Sequence, residues 1–238
     1  GRVAGGRMWN VAGAVRHFVF DAFGTLFDVH SAARECAQII GPQWPRVSEI
    51  WRNKQLEYSW IYAGIGRHMP FREATRQGLI YALQVTGLDT AMAREVLAAY
   101  TRLAPFAEVP EVLVTLKARG DKIAILSNGD PDMLDELVMN AGLTNLFDVV
   151  LSVQAAGTFK PAPQVYALCQ RRFGVAASEL TFMSSNRWDI AGARGFGMSP
   201  IWVNRSGAPD EYPDLAPVRT IGDLGALLED GPEHDPFR

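Results

Sequence analysis

Hydrophobic positions fall into two patterns along the chain, and the change between them marks its organisation. Phe18-Val19-Phe20 is a short, continuous apolar run of strand type, ended by Asp21, with Gly24 three residues later. A glycine so placed after a strand marks a tight turn where backbone amides can face a ligand. From residue 30 to about 106 the pattern is helical throughout. Val47, Ile50/Trp51, Tyr58, Ile61/Tyr62 and Ile65 fall near one helix face, with Lys54 interrupting it. Met92, Val96, Tyr100 and Leu103 form a second such face. Gly87 is expected to end one helix, and Asp89 to cap the next.

From residue 108 strands and helices alternate. Residues 110–119 read as a helix with Pro first and Gly120 as its stop. Lys122 to Leu126 reads as a buried strand. Asp130 is positioned to cap a helix with Pro131 at its first position, Met133, Leu134, Leu137 and Val138 on its apolar face, and Gly142 closing it. Phe147 to Leu151, Leu180 to Met183 and Pro200 to Val203 read as strands, separated by helices over 163–173 and 188–195. Alternation of this kind predicts an α/β fold: a doubly wound, Rossmann-like parallel sheet with helices on both faces. The expected organisation is a core of residues 8–29 and 107–228 and an inserted α-helical cap of residues 30–106, with 1–7 and 229–238 as poorly ordered ends. Residues 1–7 precede Met8 and show no signal-peptide pattern.

Composition narrows the class. The 238 residues are 48% hydrophobic and 21% charged, an ordinary globular balance. A net charge of −3 offers no basic field for nucleic acid or an anionic membrane. No apolar run approaches the roughly 20 residues that span a bilayer. Two cysteines, Cys36 and Cys169, make neither a disulfide framework nor a zinc site, so a cytoplasmic setting is expected.

Ligands of doubly wound sheets bind beyond the carboxyl ends of the strands. The polar residues there are Asp21 and Thr25; Ser127, Asn128 and Gly129; Lys160; and Ser184, Ser185, Asn186 and Asp189. A carboxylate, an amine, hydroxyls, amides and a second carboxylate would converge without being close in sequence. Together they suit an anionic substrate and a nucleophile.

The segments Asp21-Ala22-Phe23-Gly24-Thr25-Leu26, Ser127-Asn128-Gly129, Lys160-Pro161 and Ser184-Ser185-Asn186-Arg187-Trp188-Asp189 resemble the four motifs of the haloacid dehalogenase superfamily, in order and spacing. Within it the chain is most similar to the L-2-haloacid dehalogenases, whose cap segments resemble Trp51 to Tyr58 and Leu103 to Phe106. Phosphatases of the superfamily use a second Asp two residues after the nucleophile, where this chain has Phe23, and a metal-binding acid where it has Ser185. The resemblance therefore implies metal-independent, cofactor-free hydrolytic dehalogenation of short-chain L-2-haloacids, haloacetates such as fluoroacetate included, to 2-hydroxy acids. The alternative is a phosphatase or phosphonatase-type hydrolase of the same superfamily.

The resemblance also implies roles. Asp21 is the nucleophile, forming an aspartyl ester; Lys160 positions it, and Asp189 is the base or orienter for water. Thr25 and Asn186 support these groups. Arg52 and Asn128 cradle the halide. Ser127, with nearby backbone amides at Ala22 and Phe23, holds the substrate carboxylate. Ser184 and Tyr166 orient the network, and Trp188 and Leu56 wall the pocket. Many members have Tyr where this chain has Phe23, a change of pocket polarity rather than of the displacing groups. The expected partner is a small halogenated carboxylic acid, with no nucleic acid or membrane, and the expected assembly is a homodimer.

Overall fold

The computed structural model describes residues 14–229. Residues 8–13 of the expected core and the ends 1–7 and 230–238 lie outside the described residues. Six strands form one parallel sheet: β1 His17–Phe20, β2 Lys122–Ser127, β3 Val149–Ser152, β4 Leu180–Ser184, β5 Ser199–Val203 and β6 Arg219–Ile221, in the order β3-β2-β1-β4-β5-β6. This is the doubly wound order, and its central position belongs to β1, flanked by β2 and β4. Val19 and Phe20 are fully enclosed, as are Ile123 to Leu126 and Phe182 to Met183, the near-continuous apolar runs of strands covered on both faces.

The covering helices are α6 Val109–Ala118, α7 Pro131–Asn140, α8 Pro163–Phe173, α9 Arg187–Phe196 and α10 Ala226–Glu229. Between β1 and α6 come α1 Ser31–Glu35, α2 Ala37–Ile40, α3 Trp44–Gly64, α4 Phe71–Val85 and α5 Ala93–Tyr100. The chain enters and leaves this helical stretch side by side: Asp28 N–H donates to Ala104 O at 2.9 Å and Phe106 N–H to Leu26 O at 3.0 Å.

Most elements lie where the hydrophobic pattern puts them. Asp89 caps a short 3₁₀ turn through Ala91 N–H, and Met133, Leu134, Leu137 and Val138 are buried on α7. Two readings need correction, and one strand was not anticipated. The inward stripe of α3 is Val47, Ser48, Trp51, Gln55 and Ser59, while Ile61 and Ile65 are exposed. Its polar members are satisfied internally: Trp51 Nε1 donates to Thr75 O, and Gln55 Nε2 to Thr75 Oγ1 and Tyr100 Oη. Asp130 stands at the N-cap of α7 but makes no side-chain cap there, since its carboxylate is committed elsewhere. Strand β6 carries no pattern, because Arg-Thr-Ile at a sheet edge has only one buried residue, Ile221.

Helices α3 and α4 approach closely at Gly78. A Cβ there would lie 3.2 Å from both Gln55 N and Trp51 O, backbone atoms that cannot swing aside. Ala in place of Gly inside a helix ordinarily gains about 1 kcal/mol. Gly78→Ala is expected instead to lose about 1–2 kcal/mol by overpacking, read as a lower denaturant midpoint. A raised midpoint would show that this seam is slack.

Candidate active site

Asp21 directly follows β1, Ser127 ends β2 and Ser184 ends β4, so three neighbouring strands deliver their polar ends to one place. Lys160 arrives from the loop before α8, and Asp189 from the first turn of α9. The Lys160 ammonium is buried, 3.0 Å from Asp21 Oδ1 and 2.9 Å from Asp189 Oδ2. Asp21 Oδ2 accepts from Thr25 Oγ1 at 2.8 Å, Asn186 Nδ2 at 2.9 Å and Ser184 Oγ at 3.3 Å. Among the described residues the two carboxylate oxygens are thus unequally loaded, with three donors on Oδ2 and one on Oδ1.

Burial is the first influence on Lys160, Asp189 and Tyr166. It lowers the Lys160 ammonium, but Asp189 and then Asp21 outweigh it and the net direction is upward. Burial pushes Asp189 up to about 6; Lys160 and the Tyr166 hydroxyl pull the other way, and the charge of Asp21 adds to the rise. Tyr166 donates to Asp189 Oδ1 at 2.7 Å. Its own phenol is driven upward, first by burial and then by Asp189, so it stays a donor.

Glycine makes that contact possible. A Cβ on Gly192 of α9 would fall 2.4 Å from Tyr166 Oη and 2.8 Å from Pro161 Cβ. Gly192 therefore leaves the space in which Tyr166 reaches Asp189.

Around this centre lie further donors. Arg52, on α3, donates from Nη2 to Phe23 O and to Asn186 Oδ1, both at 3.2 Å, and from Nη1 to Gln55 Oε1 at 2.9 Å. Asn128 accepts the Lys160 backbone N–H on Oδ1, and its amide hydrogens have no acceptor among the described residues. Ser127 Oγ accepts from Gly129 N–H, so its own hydrogen is available to an anion. The backbone N–H groups of Ala22 and Phe23 find no acceptor among the described residues. Ser185 does not leave an open ligand position: its hydroxyl donates to Gly24 O and its N–H to Thr25 Oγ1. Among the described residues no group of three His, Cys, Asp or Glu side chains could hold a metal ion.

The apolar side is built from both parts of the chain. Phe23 stacks on Tyr100 at 5.6 Å and meets Phe71 at 5.5 Å, and Phe71 in turn meets Phe159 at 6.2 Å. Trp188 packs edge-on against Trp60 of α3 at 5.3 Å, with its indole N–H buried and without a partner among the described residues. Leu56, one turn beyond Arg52, is half-buried. The residues foreseen from the sequence that meet through hydrogen bonds or ion pairs are Asp21, Thr25, Phe23, Arg52, Asn128, Lys160, Tyr166, Ser184, Asn186 and Asp189. Gln55, Tyr100, Phe71 and Gly192 were not foreseen. Only Gln55 had a local signal, its i+3 spacing from Arg52 on one helix face.

The buried Asp–Lys–Asp cluster lies beyond the central strand of a doubly wound sheet, and the family model for haloacid dehalogenase-like hydrolases matches residues 15–197. The (S)-2-haloacid dehalogenase of Pseudomonas sp. strain YL is 42% identical over 90% of this chain and 94% of its own. Haloacetate dehalogenase H-2 of Moraxella sp. strain B is 38% identical over 90% of this chain and 96% of its own. The solved L-2-haloacid dehalogenase of Xanthobacter autotrophicus, with chloropropionic acid covalently bound, superposes with a TM-score of 0.80 at 38% identity, covering 91% of this chain and 98% of that one. The chain belongs to the haloacid dehalogenase-like hydrolases and, within them, to the L-2-haloacid dehalogenases.

The Tyr166 contact predicts a titration. With carbon-13-labelled aspartate, the Asp189 carboxyl should titrate above the usual carboxylate range in the wild type. It should move further up in both Tyr166→Phe and Gly192→Ala, because each removes a hydrogen bond to the ionised form. An unmoved midpoint in Gly192→Ala would mean that the glycine does not set the position of Tyr166.

Proposed function

We propose that this protein displaces halide from short L-2-haloacids through an ester on Asp21 and releases the 2-hydroxy acid by hydrolysis. The carrying observation is the unequal loading of Asp21: Oδ2 is saturated by three donors, whereas Oδ1 faces Lys160 alone. Oδ1 is then the oxygen with a lone pair to give. It attacks C2 as the carbon–halogen bond breaks, the halide leaves with the bonding pair, and C2 inverts.

The substrate carboxylate suits the uncommitted donors at Ser127 Oγ, Ala22 N–H and Phe23 N–H. The departing halide suits Asn128 and the Arg52 guanidinium, placed where negative charge develops in a water-poor site. Water then attacks the Asp21 carboxyl carbon. Asp189, ionised above about pH 6, takes its proton, the bond between the Asp21 carboxyl carbon and Oδ1 breaks, and the released alkoxide takes that proton back from Asp189, so the C2–oxygen bond made in the first step is retained in the product. Lys160 holds both carboxylates, Thr25, Ser184 and Asn186 keep Asp21 oriented, and Tyr166 does the same for Asp189. Trp188 and Leu56 complete the apolar wall.

A phosphatase reading has less support. Phe23, two residues after the nucleophile, carries no proton to give a leaving alkoxide, and its carbonyl oxygen is engaged by Arg52 and Asn186. The haloacetate dehalogenase among the relatives extends the proposed substrates to haloacetates, fluoroacetate included.

Residues 30–106 are proposed to act as a cap domain over a core formed by 8–29 and 107–228. A homodimer is the proposed assembly, supported by exposed Ile61 on α3, Ile65 just beyond its end, and Tyr81 and Val85 on α4. Free Cys36 and Cys169 support a cytoplasmic setting. Among the described residues no helix is long and apolar enough to cross a membrane.

Purified protein with L-2-chloropropionate and EDTA should release chloride, and Asp21→Asn should lower the rate by at least about 10³-fold. Chloride release that needs added magnesium, or that survives in the variant, would defeat the proposed chemistry.

A further inference from the structure

Helix α4 begins at Phe71, after Met69-Pro70. Pro70 sits at its N-cap and has no side chain able to accept from the first free N–H groups. The acceptor comes from the other part of the chain. Asp130 Oδ1 accepts from Phe71 N–H and Oδ2 from Arg72 N–H, both at 2.9 Å. Asp130 is buried, and it makes no cap on its own helix, α7. Two local irregularities, a helix start without a cap and a cap residue without its helix, thus resolve into one cross-link.

The cross-link joins two functional pieces. Asp130 closes the loop Ser127-Asn128-Gly129, which Ser152 pins through Gly129 O at 2.6 Å and which itself fixes the Lys160 backbone through Asn128. Phe71, on the other side, presents its ring to Phe23 and Phe159, the neighbours of Asp21 and Lys160. Next to the cross-link the seam between α4, α5 and α7 is not packed shut. A cleft of about 190 Å³ opens there, lined by Thr75, Leu97, Tyr100, Met133 and Leu137. The exposed Arg72–Asp132 pair across the same seam contributes little.

We infer that Asp130 is a positioning residue that fastens the helical segment to the substrate-binding loop, so that Phe71 is held over the site before substrate arrives. The inference rests on the reaction proposed above. Loss of the fastening lowers the fraction of molecules in the closed, binding-competent arrangement. Apparent affinity falls by that fraction, while bound substrate still reacts in the closed form. The signature is a raised KM with kcat nearly kept.

The test compares Asp130→Ala, Asp130→Asn and Asp132→Ala with wild type. It follows chloride release from L-2-chloropropionate at 25 °C and hydrogen exchange at the Phe71 and Arg72 amides. Asp130→Ala should raise KM by about tenfold and strip protection from those two amides. Asp130→Asn, which keeps one acceptor oxygen, should recover part of both. Asp132→Ala should match wild type in both, because Asp132 meets only the exposed Arg72 side chain across the seam. An unchanged KM in Asp130→Ala, or unchanged protection at Phe71 and Arg72, overturns the assignment, and a merely structural role would lower the melting temperature without moving KM. Wild-type protein that releases no chloride would instead overturn the proposed reaction, leaving the exchange data to decide the cross-link.

Discussion

One buried ammonium governs this protein. Lys160, itself almost wholly buried, lies within about 3 Å of two carboxylates. Taking three charges out of water costs several kcal/mol per ion unless each is matched and hydrogen-bonded. Here the matching is thorough: Thr25, Ser184 and Asn186 serve Asp21, and Tyr166 serves Asp189. The same low polarity that makes the cluster expensive makes it useful. A carboxylate stripped of water, with one oxygen spared, is a far better nucleophile toward carbon than one in solution, and the neighbouring Asp189 is lifted toward neutrality where it can exchange a proton.

The rest of the architecture follows from the need to assemble that cluster from three distant segments, 21–25, 160–166 and 184–189. A parallel sheet aligns the carboxyl ends of its strands, and placing β1 between β2 and β4 brings Asp21, Ser127 and Ser184 together. The sheet alone leaves this end open. The helical stretch between β1 and α6 adds a cation and an aromatic wall, with Arg52 reaching the Phe23 carbonyl and Asn186 and with Tyr100 lying flat on Phe23. Arg52 is itself steadied by Gln55, whose other end is shared with Thr75 and Tyr100. The polar stripe of α3 is thus part of how the guanidinium is aimed.

Much of this was legible in the chain. Phe18 to Phe20, Ile123 to Leu126 and Phe182 to Met183 are buried, so they appear as apolar runs, and the polar residues that follow them name the site. What escaped was information held only in space. The inward face of α3 could not be read from apolar periodicity, because Ser48, Gln55 and Ser59 are buried through partners up to 45 residues away. Asp130-Pro131 carried a strong local capping signal, yet tertiary contact with α4 won over it. Gly192 looked like any helical glycine, since the crowding it relieves comes from Tyr166 on another helix. Strand β6 was too short to show a period at all.

The central claim is that an oxygen of Asp21, and not one from water, ends up on the product. A single turnover of L-2-chloropropionate in water enriched in oxygen-18, with enzyme in excess, tests it most directly. The account predicts a mass increase of about 2 Da in the peptide containing Asp21 and unlabelled lactate. Label in the lactate and none in the Asp21 peptide would mean that water attacks C2 itself, and the ester on Asp21 would have no place in the reaction.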